Sequence, residues 1–261
     1  MNSTPEPQRR PATRRVALVT GGGSGIGRAT ALALGARGLS VAVSYRASRA
    51  GATEVVDRLR AEGVDAEAFE ADVTATAAVA ALADAVAKRL GGIDVLVNNA
   101  GDMIERVTLG RISEPLLRQI LDVNVLSTVL CSQAFAPQMI ARGGGAIVNM
   151  SSLAAHSGGG PGAWAYAAAK AAIVAITKGL AKELAPHRIR VNCVAPGLIG
   201  DTAFHAKFTT PDVFAATERS IPLGRAGTPD EVARVIAFLA GDDASFLTGE
   251  TIEINGGALM R

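Results

Sequence analysis

A tyrosine and a lysine four residues apart are the pair with the clearest chemical potential in this 261-residue sequence. Tyr166 and Lys170 lie in an alanine-rich stretch of helical character, and a spacing of four places both side chains on one helix face. A phenol has an ordinary pKa of about 10, and a neighbouring ammonium group favours its ionised form. Such a pair could move a proton to or from an alcohol or a carbonyl compound. The same spacing also arises by chance on surface helices, so the pair alone leaves that alternative open.

Two serines follow the apolar run 146–150 and offer a hydrogen-bond donor for the same chemistry. Ser151 and Ser152 come where a buried strand is expected to end, and open α/β sheets bind ligands at the carboxyl ends of their strands. A serine hydroxyl there would donate a hydrogen bond to a carbonyl oxygen as negative charge develops on it, although ordinary loop serines are the alternative. The G-x-S-x-G pattern of a hydrolase nucleophile is absent, so an acyl-transfer triad is poorly supported.

A glycine-rich turn near the amino terminus predicts a dinucleotide site. Gly21, Gly25 and Gly27 lie between an apolar run and a helical pattern, where backbone amides and a helix amino terminus can bind a pyrophosphate. The spacing is G-x-x-x-G-x-G rather than G-x-G-x-x-G, and the alternative is a glycine-rich turn without a ligand. The second predicted strand ends without the acidic residue that would bind a ribose 2′-hydroxyl, and Arg46 follows it. A guanidinium group suits a 2′-phosphate, so we expect NADP as the cofactor, with NAD as the alternative.

Short apolar runs alternate with long amphipathic stretches along the whole chain. Seven runs predict strands, at 16–20, 40–45, 66–71, 93–98, 146–150, 190–194 and 251–254. Six patterns predict helices, at 25–37, 50–61, 74–90, 114–139, 164–185 and 228–240. Capping residues support two of the helix starts, a capping box at Thr228 and a serine cap at Ser113. This alternation is typical of a parallel sheet with helices on both faces, so we predict a single Rossmann-type, doubly wound α/β domain over 16–261.

Two segments fall outside this alternation. Residues 1–15 contain three prolines and no apolar run, and we predict a flexible amino-terminal tail. Residues 198–227 form a long irregular stretch, which in compact domains is more often functional than not. Within it, 201–221 contains three phenylalanines, and we expect a substrate lid that is mobile without ligands and ordered with cofactor and substrate.

Composition excludes several classes of protein. Hydrophobic residues make up 49% and charged residues 19%, which suits a sizeable core and excludes general disorder. The net charge is +2, but residues 1–15 carry +3, so the rest of the chain is nearly neutral and we expect no nucleic-acid partner. Two cysteines and three histidines without metal-ligand spacing predict neither a disulfide framework nor a metal site. Polar residues interrupt the uncharged stretch 123–141, so we expect a buried helix there, no membrane partner and a cytoplasmic protein without a signal peptide.

Taken together, the motifs resemble those of the short-chain dehydrogenase/reductase family. In chain order they are Thr20-Gly21-x-x-x-Gly25-x-Gly27, Asp72-Val73, Asn98-Asn99-Ala100-Gly101, Asn124, Ser152, Tyr166-x-x-x-Lys170, Pro196-Gly197, Thr248-Gly249 and Gly256-Gly257. One such motif is weak, whereas the ordered set covers nearly the whole chain and is highly specific. The resemblance implies a seven-stranded sheet in the order 3-2-1-4-5-6-7. It also implies a homotetramer, as in many members, paired through the two long helices and the carboxyl-terminal strand.

The resemblance assigns catalytic roles to four residues. Tyr166 would be the acid or base, and Lys170 would bind the nicotinamide ribose and lower the pKa of the tyrosine. Ser152, rather than Ser151, would hold and polarise the substrate carbonyl. Asn124 would kink its helix and hold a water that links Lys170 to solvent.

The resemblance also implies a set of cofactor contacts along the chain. The expected cofactor-binding residues are Gly21, Ser24, Gly25, Ile26, Gly27, Arg46, Asp72, Val73, Asn99, Ala100, Gly101, Tyr166, Lys170, Pro196, Gly197 and Ile199. Asp72 and Val73 would contact the adenine. Pro196, Gly197 and Ile199 would border the nicotinamide carboxamide.

The leading hypothesis is an NADP-dependent oxidoreductase that transfers a hydride between nicotinamide and a carbonyl or secondary alcohol. The motifs are similar to those of bacterial 3-oxoacyl-thioester reductases, which dock an acyl carrier on basic residues. Arg142, His187 and Arg188 occur in the corresponding loops. A sugar, polyol or small-ketone dehydrogenase is the alternative within this class, with a small-molecule substrate in a pocket. The expected pocket neighbours are Asp102, Met103, Leu153, Trp164, Phe204 and His205. A non-catalytic dinucleotide-sensing module is the alternative from another class, and the presence of both Tyr166 and Lys170 disfavours it.

Overall fold

A computed structural model describes residues 14–260, and at its centre lies a parallel sheet. Its seven strands are β1 Val16–Thr20, β2 Ser40–Tyr45, β3 Ala66–Glu70, β4 Val95–Asn98, β5 Gly145–Met150, β6 Ile189–Pro196 and β7 Thr251–Ile254. They follow the order β3-β2-β1-β4-β5-β6-β7, which confirms the predicted doubly wound fold. Val19 of β1 pairs with Val43 on one side and with Val97 of β4 on the other. The strand order reverses between β1 and β4, so ligands are expected to bind at the carboxyl ends of these strands.

Helices cover both faces of the sheet. They are α1 Gly25–Ala36, α2 Arg49–Ala61, α3 Thr76–Leu90, α4 Glu114–Leu121, α5 Ser127–Ala141, α6 Ala154–Ser157, α7 Trp164–Leu184, α8 Ala203–Phe208, α9 Pro211–Ser220 and α10 Pro229–Ala240. Leu18 of β1 belongs to one buried cluster with Phe135 of α5, and Val19 belongs to a second cluster with Ile236 of α10. Successive side chains of a strand point to opposite faces, so β1 contributes to the core on both sides. This explains why the central strands β1 and β4 are nearly continuous apolar runs, whereas the edge strands β3 and β7 contain glutamates.

Polar caps begin two helices where the sequence predicts them. Thr228 Oγ1 accepts a hydrogen bond from the Glu231 amide at 3.3 Å, and the Glu231 carboxylate accepts one from the Thr228 amide at 2.8 Å. This reciprocal pair is the predicted capping box. At the start of α4, Ser113 Oγ accepts a hydrogen bond from the Leu116 amide at 3.3 Å. Both predicted helix starts are confirmed.

The helix predicted over 114–139 is interrupted in the middle. Between α4 and α5 the backbone forms a π turn, Asp122–Leu126. Asn124 Nδ2 donates a hydrogen bond to the Ile120 carbonyl at 2.8 Å, and Thr128 Oγ1 donates one to the Asn124 carbonyl at 3.1 Å. Side chains that bond to the preceding turn in this way compete with the regular helical pattern. A pattern of apolar residues does not show this competition, so the turn was not predicted from periodicity.

Counted across the π turn, the helical stretch Glu114–Ala141 is long and apolar enough to cross a membrane, by length and composition only. Its most apolar window has a mean hydropathy of 1.3 and is 39% buried. Within the domain this helix packs against α3, α7, β4 and β5. That packing agrees with the buried helix predicted from its polar interruptions.

The sequence predicts an irregular stretch over residues 198–227, here called the lid segment, and this prediction is wrong. These residues contain α8 and α9, and a threonine side chain caps the amino terminus of each helix. The two ends of the segment lie side by side. Gly200 N donates a hydrogen bond to the Gly227 carbonyl, and Gly227 N donates one to the Leu198 carbonyl, each at 2.9 Å. The lid segment therefore leaves the domain and returns to it at adjacent residues, with two helices in between.

The predicted tail 1–15 lies outside the described residues except for its last two. Arg14 Nε donates a hydrogen bond to the Gly38 carbonyl at 3.1 Å. Arg15 Nη2 donates one to the Ala240 carbonyl at 2.8 Å. These two arginines pack on the domain, which therefore extends at least two residues beyond its predicted start.

Candidate active site

The glycine turn after β1 is too tightly built to accept side chains. Gly21 and Gly25 have φ angles of +62° and +50°, a region that favours glycine. A Cβ on Gly27 would lie 2.4 Å from the Gly21 carbonyl oxygen. The first amides of α1 have no partner within the helix and border the same space. This cradle fits the pyrophosphate of a dinucleotide.

The end of β4 holds the glycine turn in place. Thr20 Oγ1 accepts hydrogen bonds from the amides of Asn99 and Ala100, both at 3.0 Å. Asn99 Nδ2 donates to the carbonyl oxygens of Thr20 at 2.9 Å and Gly21 at 3.2 Å. These bonds fix the turn to the centre of the sheet.

A cavity of about 470 Å³ extends from this turn along the carboxyl ends of the strands. All of the predicted cofactor contacts line it, namely Gly21, Ser24, Gly25, Ile26, Gly27, Arg46, Asp72, Val73, Asn99, Ala100, Gly101, Tyr166, Lys170, Pro196, Gly197 and Ile199. Ser152 lines the cavity as well. Of the predicted catalytic residues, Asn124 alone lies behind the wall, next to Gly101. The fold thus brings residues from both halves of the chain to one cavity.

Arg46 lies at the end of the cavity beyond β2. Its side chain is 62% exposed, and its Nη1 lies 3.8 Å from Oδ2 of Asp72. The hydroxyl and the amide of Thr74 donate hydrogen bonds to Oδ1 of Asp72 at 2.7 and 2.9 Å. These bonds, helped by the charge of Arg46, hold the pKa of the Asp72 carboxyl below its usual value. Because an exposed ion pair is weak, the guanidinium group can turn toward a bound anion.

Tyr166 is buried at the opposite end of the cavity. Its side-chain ring packs against Phe204 of α8, with 5.5 Å between the ring centroids. Burial raises the pKa of Tyr166 to about 12; a hydrogen bond with Ser152 lowers this pKa, and the charge of Asp102 raises it. The phenol is therefore neutral at pH 7. Desolvation of the phenolate sets the net direction, and the charge of Lys170 is not among these causes, so the expected lowering by Lys170 stays a prediction.

Lys170 follows Tyr166 by one turn of α7 and is also buried. Its Nζ donates a hydrogen bond to the Met150 carbonyl at 2.9 Å and lies 5.6 Å from the centroid of the Tyr166 ring. Burial lowers the pKa of Lys170 to about 8, so the ammonium form still predominates at pH 7.

The two neighbouring serines make different contacts. Ser151 Oγ donates a hydrogen bond to the Lys170 carbonyl at 2.8 Å, which joins β5 to α7. Ser152 Oγ accepts a hydrogen bond from the Ala154 amide at 3.1 Å, lines the cavity and lies close enough to Tyr166 to lower the pKa of the phenol. The role of Ser152, rather than Ser151, toward a substrate carbonyl stays a prediction.

The π turn places Asn124 behind this site. Its Nδ2 donates a hydrogen bond to the Asp102 carbonyl at 2.6 Å. Its Oδ1 is buried and has no hydrogen-bond partner among residues 14–260. A Cβ on Gly101 would lie 2.7 Å from this oxygen and 2.9 Å from Lys170 Nζ. Both polar atoms thus border one small space, as the predicted water link between Asn124 and Lys170 requires.

Phe208, one of the three phenylalanines expected in the lid, also lines the cavity, and so does Thr202. Further lining residues were not singled out in the sequence, namely Gly23, Ser44, Tyr45, Ala47, Ser48, Ala71, Thr74, Val123, Met150, Ala203 and Lys207. Small polar residues at strand ends have no distinguishing pattern, and the α8 residues were hidden by the expectation of an irregular segment. Among the expected pocket neighbours, those that line the cavity are Asp102, Phe204 and His205, and those that do not are Met103, Leu153 and Trp164.

Comparisons with known proteins cover nearly the whole chain. A family model described as enoyl-(acyl carrier protein) reductase matches residues 21–258. A 3-oxoacyl-[acyl-carrier-protein] reductase of Staphylococcus aureus is 40% identical over 244 residues, which are 94% of this chain and 98% of the relative. A protein of the same name from Synechocystis is 40% identical over 249 residues, 95% of this chain and 98% of the relative.

Solved structures of other reductases and dehydrogenases superpose on nearly the whole chain. An NADH-dependent reductase responsible for alginate metabolism superposes with a TM-score of 0.87 and 33% identity, over 95% of this chain and 98% of that one. An acetoin dehydrogenase from Enterobacter cloacae superposes with a TM-score of 0.85 and 37% identity, over 95% of this chain and 96% of that one. The cavity, the cradle and the Ser152–Tyr166–Lys170 arrangement described above are consistent with such enzymes. The chain belongs to the short-chain dehydrogenase/reductase family and is a nicotinamide-dependent oxidoreductase that acts on carbonyl compounds or the corresponding alcohols.

Proposed function

We propose that this protein is an NADPH-preferring carbonyl reductase with Tyr166 as its proton donor. The main support is that Tyr166 and Ser152 both line one end of a cavity whose other end is the glycine cradle. A substrate carbonyl beside these two hydroxyls would share that cavity with the cofactor. Proton donor and cofactor would then act on one substrate without its release.

The cofactor would be held along the cavity by residues of several loops. When bound, the nicotinamide supplies the hydride. The turn at Gly21 and Gly25 would hold the pyrophosphate, and Lys170 would hold the ribose hydroxyls. Pro196 and Gly197 would border the carboxamide at the end of β6.

Tyr166 would donate its proton to the carbonyl oxygen of the substrate. Its pKa of about 12 keeps the phenol protonated at neutral pH, as the reduction direction requires. Ser152 would donate a hydrogen bond to the same oxygen and stabilise the charge that develops there. Lys170 and Asn124 border the space through which water would return a proton to the phenol.

NADPH is the preferred cofactor in this proposal because of Arg46. The guanidinium group is exposed at the end of the cavity, and no acidic residue ends β2 to bind a ribose 2′-hydroxyl. One structural neighbour is NADH-dependent by its name, so a direct comparison of the two nucleotides is needed.

A small ketone is the proposed substrate. Phe204 packs on Tyr166, and Phe208 packs on Phe204 with 5.0 Å between the ring centroids. These rings pack beside the phenol and add apolar surface to this end of the cavity, which suits a small ketone. The similarity to an acetoin dehydrogenase points in the same direction.

A 3-oxoacyl thioester, free or on an acyl carrier, is the second candidate. The 40% identity to two 3-oxoacyl-[acyl-carrier-protein] reductases over nearly their full lengths favours it. Of the basic residues expected to dock a carrier, Arg142 donates hydrogen bonds to the Asp94 carboxylate at 2.8 Å and to the Gly91 carbonyl at 2.9 Å. Docking would therefore depend on His187 and Arg188, which are exposed.

A substrate screen tests the proposal. The purified protein would be given NADPH or NADH with small ketones, sugars and a short 3-oxoacyl thioester with and without its carrier, while the nicotinamide absorbance is recorded. We expect the highest kcat/KM with NADPH and a small ketone. A higher value for the carrier-bound thioester would favour the second candidate. Failure to oxidise either nucleotide with any carbonyl compound would contradict the proposed function.

The proposed assembly is a homotetramer in the cytoplasm. Four large apolar residues of the helix 114–141 are 38–39% exposed, namely Leu121, Leu126, Val129 and Ile140. Phe246, just before β7, is fully exposed. Apolar surface at these two places supports pairing through the long helix and the carboxyl-terminal strand. Two buried, free cysteines suit a reducing compartment, and light scattering would measure the number of chains.

A further inference from the structure

We infer that Asp102 and Lys207 form a latch that closes α8 over the active site, with Asp102 as a positioning residue. Lys207 Nζ lies 3.3 Å from Asp102 Oδ2. This ion pair joins α8 to the segment that follows β4, and both side chains line the cavity. The latch concerns the lid itself and rests on the proposed function only for its kinetic readout.

Asp102 contacts the catalytic side through its backbone. Its carbonyl oxygen accepts a hydrogen bond of 2.6 Å from Nδ2 of Asn124, the buried residue of the π turn. One residue therefore bonds to Asn124 with its main chain and to Lys207 with its side chain. A movement of α8 that breaks the ion pair with Lys207 would therefore affect Asp102, which is also hydrogen-bonded to Asn124.

The other carboxylate oxygen of Asp102 stabilises an unusual backbone turn. Ile104 has a φ angle of +63°, a conformation that β-branched residues rarely adopt. Asp102 Oδ1 accepts a hydrogen bond from the Ile104 amide at 3.1 Å. Asp102 thus supports the shape of its own segment with one oxygen and binds the lid with the other.

A second contact ties the same segment to the end of α8. Arg106 Nε donates a hydrogen bond to the Phe208 carbonyl at 2.8 Å, and its Nη1 donates one to the Pro161 carbonyl at 3.0 Å. The segment 102–106 therefore holds α8 at two adjacent residues. On its inner side α8 places Phe204 against Tyr166, so this closure also excludes water from the phenol.

The latch also affects the charge balance of the site. Asp102 is close enough to Tyr166 for its negative charge to act on the phenol. Negative charge that develops on a substrate oxygen beside Tyr166 would be repelled by an unpaired Asp102. Lys207 partly offsets that charge when α8 is closed. Closure of α8 would thus exclude water from the phenol and, at the same time, reduce the repulsion between Asp102 and the substrate oxygen.

Three variants of the full-length protein test the latch. Asp102→Asn removes the charge and keeps the acceptor for the Ile104 amide, Lys207→Met removes the partner, and the third variant combines both. Glu105→Gln is the matched control, since it removes an exposed negative charge of the same segment outside the active-site cavity. Lys207→Arg keeps the pairing charge. The readouts are hydrogen exchange of the amides of residues 203–209, kcat/KM for the ketone, and the Kd of NADPH.

We expect each single variant to speed exchange in residues 203–209 and to lower kcat/KM by roughly two- to fivefold, the range of a partly exposed ion pair. The Kd of NADPH should not change. The double variant should be no worse than either single one, and Lys207→Arg and Glu105→Gln should behave like the wild type. Unchanged exchange in the single variants, additive losses, or an equal effect of Glu105→Gln would overturn the latch. Since exchange needs no turnover, a failed ketone screen would leave this test intact.

Discussion

At the cofactor end of the cavity, the backbone of the glycine turn forms the wall. Gly21 and Gly25 have positive φ angles and Gly27 leaves no room for a Cβ, while the side-chain amide of Asn99 bonds to the carbonyl oxygens of this turn. At the substrate end, side chains form the wall, since Phe204 packs on Tyr166 and Lys207 pairs with Asp102. A surface built from backbone changes only when the chain path changes, whereas a wall of side chains changes with single substitutions. The cofactor end is therefore a property of the fold, and the substrate end is a property of a few residues.

Substitution of the tyrosine where the two ends meet should have the largest effect. Tyr166→Phe removes the proton donor and keeps the ring, so kcat for ketone reduction should fall by at least about 100-fold with the Kd of NADPH almost unchanged. Tyr45, the other tyrosine of the chain, lines the cofactor end, and Tyr45→Phe is the matched control with turnover near the wild type. Steady-state kinetics and nucleotide fluorescence provide the two measurements. Near-normal turnover in Tyr166→Phe would refute the proposed proton donor.

A glycine-to-alanine substitution should weaken nucleotide binding in the tightly packed glycine turn and have no effect where a Cβ has room. Gly27→Ala forces the Gly21 turn to move, because the new Cβ would lie 2.4 Å from its carbonyl oxygen. We expect a cost of about 1–3 kcal/mol, a roughly five- to hundredfold weaker binding of both nucleotides. At Gly200 in the lid segment, the nearest atom would be 3.7 Å away, so Gly200→Ala should bind nucleotide like the wild type. Equal losses in both variants, with folding checked by thermal unfolding, would contradict this contrast.

Arg46 is an exception at the cofactor end, because there its side chain rather than the backbone would bind the nucleotide. Arg46→Ala should raise the KM for NADPH by about tenfold and leave the KM for NADH unchanged. Tenfold is the lower end of the range for losing a charge-assisted hydrogen bond, and we expect it because the Arg46 side chain is exposed. Arg49→Ala is the control. Arg49 is a nearby exposed arginine that pairs with Glu70 and does not line the cavity. If NADPH and NADH lose affinity equally, Arg46 does not bind the 2′-phosphate.

A further effect concerns stability rather than activity and comes from the buried lysine. Burial lowers the pKa of Lys170 to about 8 in the folded protein, against 10.5 for an ordinary lysine. Between these values the unfolded chain binds a proton that the folded protein does not, so the free energy of unfolding rises with pH. We expect a gain of up to about 2 kcal/mol from about pH 7.5 to 9.5. The raised pKa of Tyr166 acts in the opposite direction only between about 10 and 12.

Urea unfolding at fixed protein concentration measures this gain. Lys170→Met should lack it, whereas Lys178→Met, which removes an exposed lysine of α7, should keep it. A gain of the same size in all three proteins would assign the pH dependence to other groups.

The sheet and most helices could be predicted because burial leaves a periodic pattern in the sequence. The lid segment shows where this fails. Residues 210–212 read Thr-Pro-Asp at the start of α9, as residues 228–230 do at the start of α10. Only α10 was predicted, since Val232 and Ile236 recur at helical spacing and are buried, whereas α9 buries no residue. A cap without an apolar face was not enough to indicate a helix.

The same physical difference separates the two ends of the site. Gly21, Gly25 and Gly27 could be identified because a tight backbone turn restricts the residue type, and this restriction is visible in the sequence. Lys207 could not, because its place in the cavity depends on how α8 packs over Tyr166 of α7. The pKa of Tyr166 depends on the same packing, so its direction required the structure.

The two hydrogen bonds that Gly227 makes with Gly200 and Leu198 have a consequence for engineering. The segment between them leaves and rejoins the domain at one point, and the hydrogen bonds that hold the glycine turn come from β1 and β4 instead. Even a doubling of a loop's length costs only about 0.6 kcal/mol of closure entropy. Segments of different length and composition can therefore be exchanged here to change the substrate range, while the bonds that hold the glycine turn stay in place.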